Sequence, residues 1–268
     1  TFELPANSGN VAALVADAKG QIWASTSAGL LLRFGENNFV EATPKSQSGQ
    51  QTMRCLAATS DGSIWIGYAG YGVGRLRDGK FWRFGQAEGL PEDYVSQIIP
   101  DNLGRLWFAG NRGIYFIKQS EFDDLASGRN SILRAVTFGR NESLPGTQAS
   151  YGFWPGAMRG ANGKLWIPMQ SGLMVVDVPG LRENPIPPPV IIESAKVDGQ
   201  PFAIYDLGQR VANSNAVAVL EGSREQPHLR IRPGYQRIVV EFTALSLTAP
   251  ANVQFKYRLR DLDEDWVD

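Results

Sequence analysis

The side chains that most often carry catalysis are scarce in this chain, which has 268 residues but a single histidine and a single cysteine. His228 is far in sequence from any serine or cysteine elbow, whereas Ser-His-Asp and Cys-His units need an imidazole placed against the nucleophile. Cys55 lies in the apolar run Met53–Ala58, which is typical of a small buried side chain rather than of a reactive thiol. An internal disulfide and a zinc site built from paired cysteines are excluded.

Acidic residues are numerous enough to form the carboxylate pair of a glycosidase. The candidates lie mostly in turns, where local hydrogen bonding is the commoner role: Glu36, Glu88, Glu92, Asp93, Asp123 and Asp124. The glycine-rich segment 70–74 has no helix pattern after it that would place a dipole on a phosphate. Asp261, Asp263 and Asp265 have the spacing of a calcium loop but lack its glycine and distal glutamate. The sequence therefore predicts no catalytic residue, metal or cofactor.

Charge and hydropathy argue against two further classes of function. Lysine plus arginine (26) and aspartate plus glutamate (27) nearly cancel, so no overall field attracts nucleic acid or an anionic membrane. No stretch approaches the roughly 20 apolar residues of a membrane helix, and residues 1–5 lack the pattern of a signal peptide. We expect any membrane contact or export signal of the natural protein to lie outside this sequence.

A repeat supplies the elements that would position functional side chains. The segment Gly-x-(Ile/Leu)-Trp occurs four times, and its tryptophans are separated by 42, 42 and 59 residues: Trp23, Trp65, Trp107 and Trp166. This spacing is the size of one four-stranded blade of a β-propeller. Because such a blade buries its tryptophan against the neighbouring sheet, we interpret these four residues as structural.

Periodicity and turn residues predict four strands in each of the first two repeats. In the first repeat they are expected at 11–16, 21–25, 30–34 and 39–42, and in the second at 54–58, 63–67, 74–76 and 80–84. The third repeat is expected to run from Val95 to Leu125, and an insertion at 129–150 lengthens the approach to the fourth. Residues 2–4 are predicted to form the outermost strand of a preceding blade.

The composition changes at the proline-rich segment 184–189, which is typical of a stiff linker. We therefore predict propeller blades over 1–183 and a second β domain over 184–268. In the second domain, strands are expected at Val190–Val197, 229–232, Ile238–Ala244 and 253–260, with a turn at Asp198 and Gly199. Their period-two alternation is typical of an antiparallel sandwich, and four or five strands predict an incomplete immunoglobulin-like one.

The order of these motifs resembles two families that occur together. Asp-x-x-Gly-x-(Ile/Leu)-Trp at 17–23 and 101–107, with Gly-Leu-Pro at 89–91, resembles the two-component regulator propeller repeat. Residues 229–266, with Tyr-Arg-Leu-Arg-Asp-Leu-Asp-Glu-Asp-Trp at their end, resemble the three-tyrosine (Y_Y_Y) domain, although Arg-Asp stands at 260–261 where the family usually has glycine. The resemblance implies a periplasmic sensor region of a bacterial hybrid two-component protein. Its sandwich domain would relay ligand occupancy to a membrane-anchored histidine kinase or another signalling output.

Propeller topology predicts where a ligand would bind. The loops before the inner strands and the loops between second and third strands emerge on one face, which we call the mouth. The residues expected there are Arg54, Tyr68, Tyr71, Tyr94, Asn111, Arg112, Tyr151, Phe153, Trp154 and Gln170. Aromatic rings beside arginines and amides suit a sugar or an acidic oligosaccharide, although single tyrosines could instead close the mouth or contact another blade.

Several functions remain open from the sequence. The leading hypothesis is sensing of a small-molecule or oligosaccharide ligand in two-component signal transduction, with no enzymatic activity in this segment. The alternatives are a carbohydrate-active propeller enzyme and a protein-binding scaffold of the WD-repeat type. Four repeats are few for a closed ring, so either the chain is a fragment or a second copy covers its open faces as a homodimer.

Overall fold

A computed structural model describes residues 2–45, 51–138, 146–181, 187–205, 218–220, 233–246 and 252–267. Within these ranges the chain forms nineteen strands, one α-helix and one short 3-10 helix. It divides into unit 1, Thr1–Arg182, and unit 2, Glu183–Asp268, one residue before the boundary expected from the proline-rich segment. No helix in the described ranges is both long and apolar enough to cross a bilayer.

Unit 1 is built from four antiparallel sheets, each with its strands paired in chain order. Blade 1 contains β1 (Val11–Ala16), β2 (Ile22–Thr26), β3 (Leu31–Phe34) and β4 (Phe39–Glu41). Blade 2 contains β5 (Met53–Ala58), β6 (Ile64–Tyr68), β7 (Val73–Arg77) and β8 (Lys80–Phe84). Blade 3 contains β9 (Val95–Pro100), β10 (Arg105–Gly110), β11 (Ile114–Lys118), α1 (Gln119–Ala126) and β12 (Val136–Phe138). Blade 4 contains β13 (Met158–Arg159), β14 (Leu165–Met169) and β15 (Gly172–Val176).

The inner strands β1, β5, β9 and β13 lie side by side, which is the arrangement of propeller blades around an axis. The strands predicted in the first two repeats are confirmed to within one or two residues. The β7–β8 hairpin turns at Asp78 and Gly79, whose φ angles of 49° and 74° fit the two-residue turn expected there.

Two predictions about the strands of unit 1 are wrong. The third repeat was expected to end near Leu125, but residues 119–126 form α1, and the fourth strand of that blade is β12, inside the expected insertion. Phe122 and Leu125 lie three residues apart on one face of α1 and pack into the core between blades 2 and 3, which favours a helix there. Residues 2–4 form no strand; the Phe2 ring packs edge-on against Phe34 at 4.8 Å.

In the first three repeats, the tryptophan is fixed by a hydrogen bond to the residue six positions before it. The indole nitrogens of Trp23 and Trp107 donate to carboxylates, Asp17 at 3.1 Å and Asp101 at 3.0 Å. The same aspartates accept backbone N–H groups of the turn that follows them, so each carboxylate joins the turn to the second strand. Trp65 makes the equivalent bond to the Thr59 hydroxyl at 3.0 Å.

The prediction that blades bury this tryptophan holds for two of the four. Trp65 and Trp107 are fully buried, and Trp23 is half-buried. Trp166 is 36% exposed, because the described residues place no further sheet against that face of blade 4. Three apolar cores fill the junctions between blades, and their largest members include Tyr68 (blades 1 and 2), Phe108 and Phe122 (blades 2 and 3), and Trp107 and Phe116 (blades 3 and 4).

Unit 2 contains one described sheet, with strand order β18-β17-β16-β19. Its strands are β16 (Val190–Val197), β17 (Gln200–Tyr205), β18 (Ala218–Leu220) and β19 (Ile238–Ala244). β16 and β19 have the predicted bounds, and β17 pairs with β18 in parallel. His228 and the strand expected at 229–232 lie outside the described residues.

The strand expected at 253–260 is not formed. Residues 252–267 make turns and one isolated bridge between Tyr257 and Val267, and the Asp263 carboxylate accepts the Leu259 N–H within such a turn. The face of β19 that was expected to be packed is exposed at Ile238 and Val240 within the described part of unit 2. A four-stranded sheet is therefore described there, without the second sheet of a sandwich.

Candidate functional site

The mouth of unit 1 is held together by backbone hydrogen bonds between successive blades. The loop after β6 donates from Gly72 to the Asp93 carbonyl, just before the inner strand of blade 3, at 2.8 Å. Ala149, in the segment leading to blade 4, donates to the Gly110 carbonyl at the end of β10 at 2.7 Å. Loops distant in sequence therefore meet at one edge of the blades, as the propeller topology predicts.

A bulge recurs at the same position of the first three inner strands. In β1 the pairing register shifts between Val11 and Ala13, and in β5 it shifts between Met53 and Cys55. In β9 it shifts between Val95 and Gln97, which pair with Gly110 and Ala109 of β10. The extra residues are Ala12, Arg54 and Ser96, which are 42 residues apart. Bulges of this kind redirect a side chain at the rim of a sheet. Equivalent positions of three blades therefore present three different side chains around the axis.

Arg54 joins two of these positions and two aromatic rings. Its Nη1 donates to the Ser96 hydroxyl at 3.0 Å. Its guanidinium carbon lies 4.1 Å from the ring centroid of Tyr151 and 5.2 Å from that of Tyr94, within cation–π range. Both rings remain accessible, with 45% of Tyr151 and 44% of Tyr94 exposed. Among the residues that the structure describes, no carboxylate lies within 4.0 Å of this guanidinium.

A second group of predicted residues gathers around a buried carboxylate. Glu92 is almost fully buried and accepts the backbone N–H groups of Asn111 at 2.9 Å and Arg112 at 2.8 Å. The Asn111 side-chain oxygen accepts the Gln148 amide at 3.4 Å, and Gln170 donates its backbone N–H to the Gln148 carbonyl at 2.9 Å. Asn111 and Gln170 are thus brought together because both form hydrogen bonds with Gln148. The side chain of Arg112 is exposed.

Tyr68 is a correction to the predicted site. Its side chain is fully buried in the core between blades 1 and 2, where it packs with Leu31, Met53 and Leu56. Burial raises the pKa of its hydroxyl, as expected for a phenol removed from water. Its ring is therefore not available to a ligand at the mouth, and its replacement would disturb the core instead.

The remaining predicted residues have separate roles. The indole nitrogen of Trp154 donates to the Leu14 carbonyl at 2.6 Å, and the ring packs against two inter-blade cores. Trp154 therefore links the approach to blade 4 with the inner strand of blade 1. Tyr71 and Phe153 are exposed, but neither ring contacts the Arg54 guanidinium.

Two mouth residues were missed by sequence reasoning. Ser96 is buried and holds Arg54, and the repeat spacing of 42 residues could have identified it. Gln97 is also buried; its amide nitrogen donates to the Ser150 carbonyl at 3.1 Å. Its side-chain oxygen has no hydrogen-bond partner among the described residues. Neither residue type is distinctive by itself, so only the spacing carried a signal.

The acidic residues considered for a carboxylate pair are mostly engaged in local contacts. Their partners are Gly85 for Glu88, the 111–112 backbone for Glu92, Gln86 for Asp93, Arg75 for Asp123 and Arg129 for Asp124.

Burial raises the pKa of the Cys55 thiol to about 12, so the thiolate is disfavoured. The described residues contain no cluster of three potential metal ligands.

Comparisons with known proteins bear on the fold. The sequence profile of the two-component regulator propeller family matches residues 89–112, the stretch from Gly89 to the loop that Glu92 holds. No curated protein matches the sequence at a significant level. Among solved structures, the extracellular domain of a protein assigned as a hybrid two-component system of B. thetaiotaomicron superposes with a TM-score of 0.56 at 17% identity. The match covers 99% of this chain and 33% of that domain, so the chain spans about a third of its length.

Two further structures are less similar. A second extracellular domain of this kind from the same organism gives a TM-score of 0.45 at 13% identity, covering 96% of this chain and 30% of that one. Virginiamycin B lyase from Staphylococcus aureus gives 0.44 at 18% identity, covering 67% and 59%. At these identities the first superposition shows a shared all-β propeller fold.

Proposed function

We propose that this chain is the ligand-reading region of an extracytoplasmic bacterial sensor, and that an acidic oligosaccharide binds at Arg54. The observation that carries the proposal is the placement of Arg54 at the mouth, between two accessible tyrosine rings. It has no carboxylate partner in the described part of the chain.

The chemistry of the cluster fits this ligand class. A guanidinium presents five N–H donors in a planar fork that matches carboxylate and sulfate groups. Among the described residues, only Ser96 accepts a hydrogen bond from Arg54. The exposed faces of Tyr94 and Tyr151 can stack on the apolar faces of sugar rings. Because the buried Ser96 already fixes the guanidinium, less side-chain entropy is lost when a ligand binds.

The sensor role is supported by the match of residues 89–112 to the two-component regulator propeller profile. It is also supported by the superposed extracellular domain, which belongs to a protein assigned to two-component signalling. On this basis unit 1 reads the ligand in the periplasm, and unit 2, as a three-tyrosine domain, relays occupancy to a membrane-anchored histidine kinase.

Binding is tested by presenting the purified chain to an array of uronic-acid and sulfated oligosaccharides, with neutral cello-oligosaccharides beside them. The strongest acidic saccharide is then titrated by calorimetry into wild type, Arg54→Gln and Tyr151→Ala. We expect selective binding of acidic saccharides and a loss of at least about tenfold in affinity for Arg54→Gln, because a charged hydrogen-bond donor is removed.

Arg83→Gln is the matched control, because Arg83 is exposed on β8 and its substitution removes the same charge at a different place. Thermal unfolding of each variant separates a binding defect from a folding defect. Equal affinity for Arg54→Gln and Arg83→Gln, or binding of neutral saccharides only, would refute the site. Signalling is tested separately: in the bacterium, deletion of the intact gene should abolish transcription induced by the saccharide.

A further inference from the structure

A groove of about 1040 Å³ lies between blades 1 and 2, on a part of unit 1 that the proposed function does not use. Its lining includes Trp23 and Arg33 of blade 1 and Ile64, Leu76 and Phe81 of blade 2. Trp23 is half-buried here, whereas the equivalent Trp65 and Trp107 are fully buried. The groove therefore leaves open a surface that is covered at the next two repeats.

The equivalent space between blades 2 and 3 is filled by α1. Phe122 of α1 is fully buried, with its ring edge-on to Trp65 at 4.8 Å and to Phe84 at 5.0 Å. The following residue, Asp123, places a carboxylate oxygen 2.8 Å from Nη1 of Arg75. An aromatic residue followed by an acidic one thus completes this junction from within the chain.

The strand registers show that the two sites are equivalent. Trp23 is paired across the strands with Arg33, as Trp65 is with Arg75. Arg75 is 1% exposed and is held by two carboxylates, Asp61 and Asp123, each at 2.8 Å. Arg33 is exposed, and in the described ranges no carboxylate lies within 4.0 Å of it. Blade 1 therefore has the same tryptophan and arginine without the segment that covers them.

Among the residues that the structure describes, no element equivalent to α1 lies at this groove. In blade 2 the strands β7 and β8 are joined by a two-residue turn, whereas the connection between β11 and β12 in blade 3 includes α1. The neighbouring segment 46–50, Ser-Gln-Ser-Gly-Gln, contains neither an aromatic nor an acidic residue. A second copy of the chain would not supply Phe122 either, because that side chain is buried in its own core.

We infer that the groove between blades 1 and 2 binds a peptide segment of a partner protein in which an aromatic residue is followed by an acidic residue. The aromatic ring packs against Trp23 and the apolar side chains of blade 2, as Phe122 packs against Trp65. The carboxylate pairs with Arg33, as Asp123 pairs with Arg75. The lining carries both acidic and basic side chains, but Arg33 has no carboxylate partner among the described residues, and this arginine together with the internal precedent selects an acidic, aromatic peptide over a neutral one.

The probe is a fluorescently labelled peptide, Ser-Glu-Phe-Asp-Asp-Leu, which copies the part of α1 that fills the space between blades 2 and 3. Anisotropy is measured against the full chain, with a second peptide in which alanine replaces phenylalanine. We expect saturable binding of the first peptide that is weakened about tenfold by Arg33→Gln, since a charged pair is lost. The alanine peptide should bind at least about tenfold more weakly, because the ring supplies most of the buried area.

Arg83→Gln is again the matched control and should leave peptide binding unchanged. Arg54→Gln should also leave it unchanged, which separates this site from the saccharide site at the mouth. Absence of saturable binding, equal binding by Arg33→Gln and Arg83→Gln, or equal binding of both peptides would overturn the inference. Self-association of the chain that is abolished by Arg33→Gln would also overturn it, by assigning the groove to a second copy.

Discussion

Phe122→Ala is expected to destabilise unit 1 more than any surface change, because Phe122 is the one buried residue of α1. Phe122 is fully buried and makes edge-on contacts with Trp65 and Phe84. Truncation of a buried phenylalanine costs about 3–5 kcal/mol. Each lost aromatic pair accounts for about 0.5–1.5 kcal/mol beyond burial. The expected loss lies near the upper end, at about 4–5 kcal/mol.

This loss is large enough to measure by thermal unfolding. For a unit of this size, 1 kcal/mol shifts the midpoint by about 2–4 °C, so Phe122→Ala should lower it by about 8–20 °C. Circular dichroism or calorimetry follows the transition, with Phe153→Ala as the control. Phe153 is 65% exposed, so its truncation should change the free energy of unfolding by no more than about 0.5 kcal/mol.

Two outcomes would refute this reasoning. A midpoint lowered by less than about 2 °C would mean that α1 contributes little to the packing of blades 2 and 3. Equal shifts for Phe122→Ala and Phe153→Ala would mean that burial does not determine the effect.

The remaining predictions concern a carboxylate and a thiol. Burial raises the pKa of Asp61, but hydrogen bonds from Thr59, Ser63 and Arg75 together outweigh it and hold the pKa well below its ordinary 3.8. A depressed pKa in the folded state contributes stability above pH 3.8 that is lost as the pH falls below that value. Asp61→Asn should therefore lower the free energy of unfolding at pH 7 by about 1–3 kcal/mol. The decrease in the free energy of unfolding between pH 5 and pH 2, measured by urea denaturation, should be smaller in the variant than in the wild type. An unchanged pH profile would contradict this. Cys55, whose pKa burial raises to about 12, should not react with a disulfide reagent at pH 8 until urea unfolds the chain. Fast stoichiometric reaction of the native protein would disprove that assignment.

The blades could be predicted because their signals are local. Alternating apolar residues fix which face of a strand is buried, and residues such as Asp78 and Gly79 specify the turn between two strands. A repeat of 42 residues then places equivalent strands in successive blades. The third blade was predicted to end near Leu125, but α1 interrupts the repeat there and the fourth strand is β12. Residues 119–126 are mostly polar, so their periodicity gives only a weak local signal.

The candidate site could be predicted only in part. Arg54, Tyr94 and Tyr151 were expected at the mouth, and the structure brings their side chains together. Tyr68 was expected with them because it follows the strand predicted at 63–67, in the loop between the second and third strands of blade 2. Its ring instead turns into the core between blades 1 and 2, since the face that it occupies is covered by the neighbouring sheet.

The sequence by itself determined the repeat and the bounds of most strands in the first two blades, because each depends on residues that are neighbours along the chain. The tertiary structure decided which side chains share a surface. It placed Ser96 against Arg54, and it covered Trp65 with Phe122 while leaving Trp23 open. These contacts join residues 42 or more positions apart, and such contacts depend on how sheets pack rather than on local pattern.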